Sequence, residues 1–195
     1  MGFDDILGAT KVMAILRGLP PDETVEIATR LWDNGITALE VPIASPDQLE
    51  SLRAAAGAAA ERGLRVGAGT VITAEQARLA AEAGAQYTVA PGFDPAVLAA
   101  SLALGMPHLP GVGTATEVQR AWLAGCRWLK AFPAKALGPA WVAGLLGPFP
   151  EINFVATGGL TVADAPGFLE AGTRVVALGA ALADPGQRDQ VRTLL

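Results

Sequence analysis

The 195-residue chain carries 14 Lys and Arg against 19 Asp and Glu, a net charge of −5, and is 51% apolar. That balance gives no basic footprint for nucleic acid, and no run of like charge marks a tail. A single cysteine (Cys126) excludes an internal disulfide framework, a single histidine (His108) excludes a polyhistidine metal centre, and no apolar run is long enough to span a bilayer.

The start, Met1-Gly2-Phe3-Asp4-Asp5, lacks the basic opening of a signal peptide, so a soluble cytoplasmic protein is expected. A short helix is predicted over Phe3–Ala9. Then one theme repeats: a short apolar strand, a turn rich in Gly, Pro or Thr, and an Ala-rich amphipathic helix. The predicted strands are Val12–Leu16, Ala38–Ile43, Val66–Gly69, Tyr87–Ala90, Pro107–Pro110, Trp128–Phe132, Asn153–Thr157 and Arg174–Leu178. The predicted helices are Asp22–Asn34, Pro46–Arg62, Ala74–Ala83, Pro95–Leu104, Ala115–Ala124, one from near Pro139, Val162–Ala171 and Gln187–Leu195. Ser45, Thr73, Asp94 and Thr161 stand where N-caps belong, and Gly35, Gly84, Gly125 and Gly172 where helices end. Strict alternation of strand and helix predicts an α/β fold, a single-domain (β/α)8 TIM barrel over residues 1–195, with an open doubly wound sheet as the alternative. The first helix would cover the barrel's N-terminal mouth.

Active sites of such barrels lie at the C-terminal ends of the strands. The polar residues of this chain fall there: Arg17, Glu40, Thr70, Pro91-Gly92, Gly111 to Thr114, Lys130, Thr157-Gly158-Gly159 and Gly179-Ala180. In Trp128-Leu129-Lys130-Ala131-Phe132, alternation puts Trp128, Lys130 and Phe132 on one face. Burying an ammonium is costly, and an amine that sheds its proton is a nucleophile that forms Schiff bases with ketones. A lysine at a strand end with its head in water is the alternative.

Glu40, flanked by outward-facing Leu39 and Val41, points into the barrel. There it either relays protons beside Lys130 or forms a structural ion pair with Lys130 or Arg17. Gly158, Gly159, Gly179 and Ala180 close the seventh and eighth strands, where backbone N–H groups commonly hold a phosphate. His108 and Cys126 read as structural, and the tryptophans as core or subunit contacts. Lys135 reads as solvated, within reach of a substrate phosphate.

These segments together resemble the class I aldolases that cleave 2-keto-3-deoxy-6-phospho-sugar acids, the KDPG/KHG aldolase family. The resemblance runs through Ala14-Ile15-Leu16-Arg17-Gly18, Glu40-Val41-Pro42, Gly67-Ala68-Gly69-Thr70-Val71, Ala90-Pro91-Gly92, Pro110-Gly111, Leu129-Lys130-Ala131-Phe132-Pro133 and Thr157-Gly158-Gly159. It implies a Schiff-base lysine at Lys130 and a proton shuttle at Glu40. Thr70, Pro91 and Phe132 would line a pyruvate pocket, and Gly158, Gly159, Gly179 and Ala180 would hold the phosphate. It also implies a homotrimer acting on a small phosphorylated keto acid, with no metal, cofactor, nucleic acid or membrane partner. Two features depart from one branch of the family. Ala44 stands where many gluconate-type members carry arginine, leaving Arg17 to supply that charge. Arg17, Glu40-Val41-Pro42, Ser45-Pro46 and Thr114 to Glu117 look galactonate-type, whereas Thr157, expected near the substrate C4 hydroxyl, looks gluconate-type. A phosphate-binding isomerase or epimerase and a non-catalytic sugar-phosphate-binding barrel are the rival readings.

Overall fold

A computed structural model gives the fold and describes residues 2–183, 186 and 190–194. Its strands are β1 (Val12–Ile15), β2 (Ala38–Pro42), β3 (Val66–Gly69), β4 (Tyr87–Val89), β5 (His108–Leu109), β6 (Gly111–Val112), β7 (Trp128–Ala131), β8 (Asn153–Thr157) and β9 (Val175–Leu178). All are parallel, in the order β5-β4-β3-β2-β1-β9-β8-β7-β6. The two ends of that order are halves of one segment, split at Pro110, which has no N–H to give a ladder. The segment still closes the sheet. The Leu109 carbonyl accepts from Ala90 N–H at 3.0 Å, while the Pro110 and Val112 carbonyls accept from Lys130 N–H at 2.8 Å and Phe132 N–H at 3.0 Å. The result is the expected barrel of eight staves, one of them broken at a proline.

Outside it pack α2 (Pro21–Asp33), α3 (Asp47–Glu61), α4 (Ala74–Glu82), α5 (Pro95–Ala103), α6 (Ala115–Leu123), α8 (Pro139–Leu146) and α9 (Ala165–Glu170). In α2 the buried residues Thr24, Ile27, Ala28, Leu31 and Trp32 follow helical spacing, with Pro21 at the first turn. Thr73 and Asp94 cap α4 and α5 as expected, accepting from Gln76 N–H and Ala96 N–H. Ser45 does not cap α3: Pro46 holds the cap position, and the Gln48 side chain instead accepts the Ala44 N–H at 3.0 Å.

The helix expected over Val162–Ala171 opens as a 3-10 turn, Val162–Asp164, before α9. Two short helices were not foreseen: α7 (Ala134–Leu137) and α10 (Ala180–Ala183). Of the closing helix expected over Gln187–Leu195, residues 187–189 and 195 lie outside the described residues, and Val191–Leu194 form a 3-10 turn.

Strand alternation sorts the core into two layers. Leu39, Val41, Leu129, Ala131, Phe154, Ala156, Val176 and Leu178 face the helices. Met13, Ala38, Tyr87, Val89, Leu109, Trp128, Val155, Val175 and Ala177 fill the barrel. Each large apolar side chain so buried contributes roughly 1.5–3 kcal/mol. At the N-terminal mouth sits α1 (Phe3–Leu7), shorter than Phe3–Ala9 but in the expected place. Its Phe3 ring lies 5.8 Å from Tyr87 and 6.5 Å from Trp128, and Asp4 accepts the Trp128 indole N–H at 3.1 Å. That plug leaves the opposite, C-terminal end of the strands as the open face.

Candidate active site

Lys130 lies on β7 between Gly111 of β6 and Val155 of β8. Alternation from Trp128 sends its side chain inward, where it is only 5% exposed. Its Nζ stands 5.2 Å from the centre of the Phe132 ring. A cation there gains from the ring's electron-rich face. The strand-end lysine with its head in water is therefore not what the chain builds.

Glu40, one residue past Leu39 on β2, is 1% exposed, and its Oε1 accepts no hydrogen bond. Among the described residues it forms no ion pair, so the structural pair with Lys130 or Arg17 is absent. Burial pushes its carboxyl above the usual range, while the positive charges of Lys130 and then Arg17 pull it back. Burial favouring the protonated form and the two cations favouring the ionised one leave a carboxyl that can exchange a proton with a bound group. Room for it comes from β3. A Cβ on Gly69 would stand 2.5 Å from Glu40 Oε1, and one on Gly67 would stand 2.0 Å from the Tyr87 ring.

A cavity of about 510 Å³ opens at this end. It is lined by Arg17, Lys130, Phe132, Thr157, Gly158, Gly159, Gly179 and Ala180, eight of the residues singled out in the sequence. Glu40 lies buried off its wall. Thr70 and Pro91 end their strands as expected but do not line it. Thr70 is a non-glycine residue at φ +60°, a conformation that costs a β-branched side chain about 1–3 kcal/mol. Pro91 lines a separate cavity of about 210 Å³ with Val71, Ile72 and Phe93.

Gly158 sits at φ +106°, and a Cβ there would press the Phe132 ring at 3.0 Å, so glycine is required. Gly179 has ordinary space around it, with Ile15 Cβ nearest at 3.6 Å. Four wall residues escaped the sequence reading: Ile15, Leu160, Thr161 and Ala177. Ile15 shares the inward face of Met13 and Arg17, and that alternation could have found it. Tyr87 also escaped. Its hydroxyl donates to the Leu39 carbonyl at 2.6 Å, and burial followed by the Glu40 charge raises its pKa.

The remaining candidates are structural. His108 Nδ1 and Thr88 Oγ1 are 2.8 Å apart, and burial lowers the imidazole pKa to about 4. Burial raises the Cys126 thiol to about 11, which keeps it protonated. Trp32 and Trp128 are buried, and Trp122 and Trp141 half-buried. Among the described residues no group of three or more His, Cys, Asp or Glu is placed to hold a metal ion. No helix there is long and apolar enough to cross a membrane.

The family described as KDPG and KHG aldolase matches residues 3–193. A probable 2-dehydro-3-deoxy-6-phosphogalactonate aldolase of Rhizobium meliloti (strain 1021) is 37% identical over 176 residues, 90% of this chain and 82% of that protein. A 2-dehydro-3-deoxy-phosphogluconate aldolase of Treponema pallidum (strain Nichols) is 38% identical over 167 residues, 85% of this chain and 78% of that one. A crystal structure of KDPG aldolase from Legionella pneumophila, with pyruvate captured as a covalent carbinolamine, superposes with a TM-score of 0.83. It is 26% identical, over 96% of this chain and 91% of that one.

Proposed function

The chain belongs to the KDPG and KHG aldolase family, carbon–carbon lyases, and from that premise we propose that Lys130 is its Schiff-base nucleophile and Glu40 its proton shuttle. The substrate on this reading is a 2-keto-3-deoxy-6-phospho-sugar acid, cleaved to pyruvate and D-glyceraldehyde 3-phosphate. One observation carries it: a buried amine on the wall of a cavity that glycine turns also line acts electrostatically on a buried carboxyl whose Oε1 accepts no hydrogen bond. A structural pair would have satisfied itself; this one is left to act on a third group. The isomerase and binding-barrel readings find no comparable support.

The Lys130 amine adds to the C2 ketone to form a carbinolamine. Glu40 gives its proton to the departing oxygen, water leaves, and the iminium remains. The carboxylate then accepts the C4 hydroxyl proton as C3–C4 breaks. The bonding pair moves into the iminium, giving an enamine and releasing glyceraldehyde 3-phosphate. Protonation of the enamine carbon and hydrolysis return pyruvate and the free amine. Arg17 pairs with an anionic group of the substrate. Gly158, Gly159, Gly179 and Ala180 offer backbone N–H groups to the phosphate. Phe132 on the cavity wall bounds the pyruvate end, while Thr70 and Pro91 stand off that wall at the ends of β3 and β4.

Thr157, 3% exposed on the cavity wall, reads the C4 hydroxyl and so the epimer. The enzyme works without metal or cofactor, in the cytoplasm, as a homotrimer. Exposed Ile72, Leu102, Leu104 and Leu123 supply apolar surface for contacts between copies. The test is pyruvate release from each C4 epimer separately. Lys130→Ala removes it with both, and Thr157→Val changes the ratio between them. Pyruvate release by Lys130→Ala at the wild-type rate refutes the proposal.

A further inference from the structure

Lys135 sits just outside the cavity wall, against the loop assigned above to phosphate. Its N–H donates to the Gly158 carbonyl at 3.1 Å, and its Cβ lies 3.2 Å from where Gly159 would carry one. The lysine stem therefore runs along the Gly158-Gly159 backbone. Its ammonium donates to Asp164 Oδ1 at 2.5 Å. The other Asp164 oxygen accepts the N–H and the hydroxyl of Thr161, both at 2.8 Å, and Thr161 is on the cavity wall. Asp164 is thus held in place by Thr161 independently of the lysine. The Lys135 side chain is 56% exposed, and an ion pair that open to water is weak enough to exchange.

The charge balance of the wall points the same way. Its only cations among the described residues are Arg17 and Lys130, and Lys130 is committed to the ketone. A phosphate monoester is close to doubly charged at neutral pH. One guanidinium leaves about half of that charge to backbone dipoles.

We propose that Lys135 is a specificity-determining residue that swings from Asp164 to a phosphate oxygen and selects phosphorylated over unphosphorylated substrates. Its flexible four-carbon stem, already laid over Gly159, allows the change of partner. This rests on the reading of Gly158-Gly159 and Gly179-Ala180 as the phosphate cradle.

The test runs the aldol reaction in synthesis, pyruvate with D-glyceraldehyde 3-phosphate or with D-glyceraldehyde, and compares kcat/KM. In Lys135→Met the preference for the phosphorylated aldehyde should fall about tenfold or more, mainly through KM, as expected for loss of a charged hydrogen bond. Inorganic phosphate should inhibit that variant less than wild type, and Lys135→Arg should keep most of the preference. Asp164→Asn, whose amide oxygen still accepts from Thr161, should leave the preference intact or strengthen it. An unchanged preference in Lys135→Met, equal losses with both aldehydes, or an Asp164→Asn variant that fails like Lys135→Met each overturns the proposal while sparing the cradle. Wild-type enzyme that shows neither a preference for the phosphorylated aldehyde nor inhibition by phosphate overturns both.

Discussion

Gly69→Ala tests how Glu40 is placed without replacing either catalytic side chain. The backbone at Gly69 is not left-handed, so alanine adds a steric effect alone. Its Cβ would stand 2.5 Å from Glu40 Oε1, 3.0 Å from Cδ and 3.3 Å from Pro42 Cα. Non-bonded heavy atoms settle near 3.5 Å, so the carboxyl must move by about 1 Å. A displacement of that size costs roughly a hundredfold in rate when the group's geometry matters to the chemistry. Overpacking adds about 1–3 kcal/mol of lost stability, enough to lower Tm by several degrees. The assay is single-turnover aldol cleavage, with pyruvate trapping and a melt on the same preparation. The expected result is a folded variant that still traps pyruvate on Lys130 and cleaves slowly. Cleavage at the wild-type rate would refute the placement of Glu40 as proton shuttle.

Other outcomes follow from the same geometry. Glu40→Gln should lower kcat by about 10²- to 10⁴-fold, the usual worth of a general acid–base group, with the fold intact by circular dichroism. Gly57→Ala, at a helix position where an added Cβ meets nothing within 4 Å, should stabilise by up to about 1 kcal/mol in denaturant titration and leave kcat unchanged. His108 has its pKa lowered to about 4 in the fold from 6.5. The unfolded chain therefore binds a proton that the folded chain refuses, and stability should fall as pH drops from about 6.5 to about 4, by up to about 3 kcal/mol. Urea titrations of wild type and His108→Gln at pH 7 and pH 5 check this; equal pH sensitivity would contradict it.

The barrel was legible because each strand is an apolar run bounded by turn residues, and period-two alternation alone sends Glu40 and Lys130 inward. The wall glycines were legible because they follow strand ends. What escaped depends on contacts distant in sequence. Nothing local to Gly67 announces that the Tyr87 ring fills its place, or near Gly69 that a carboxyl on β2 needs the space. Helix α7 is a single turn, ended by Gly138 at φ +77°, too short for periodicity to register. Ser45 has the chemistry of a cap but lost the position to Pro46 and the Gln48 side chain. Thr70 and Pro91 were placed correctly at strand ends, yet reaching the cavity wall depends on how far each stave rises, which sequence spacing does not encode.

The most direct test of the central claim is borohydride reduction in the presence of pyruvate, followed by peptide mass mapping. The account predicts a reduced pyruvate adduct on Lys130, absent in Lys130→Ala and present in Glu40→Gln. A folded enzyme that cleaves its substrate but traps no pyruvate, or traps it on another lysine, would contradict it.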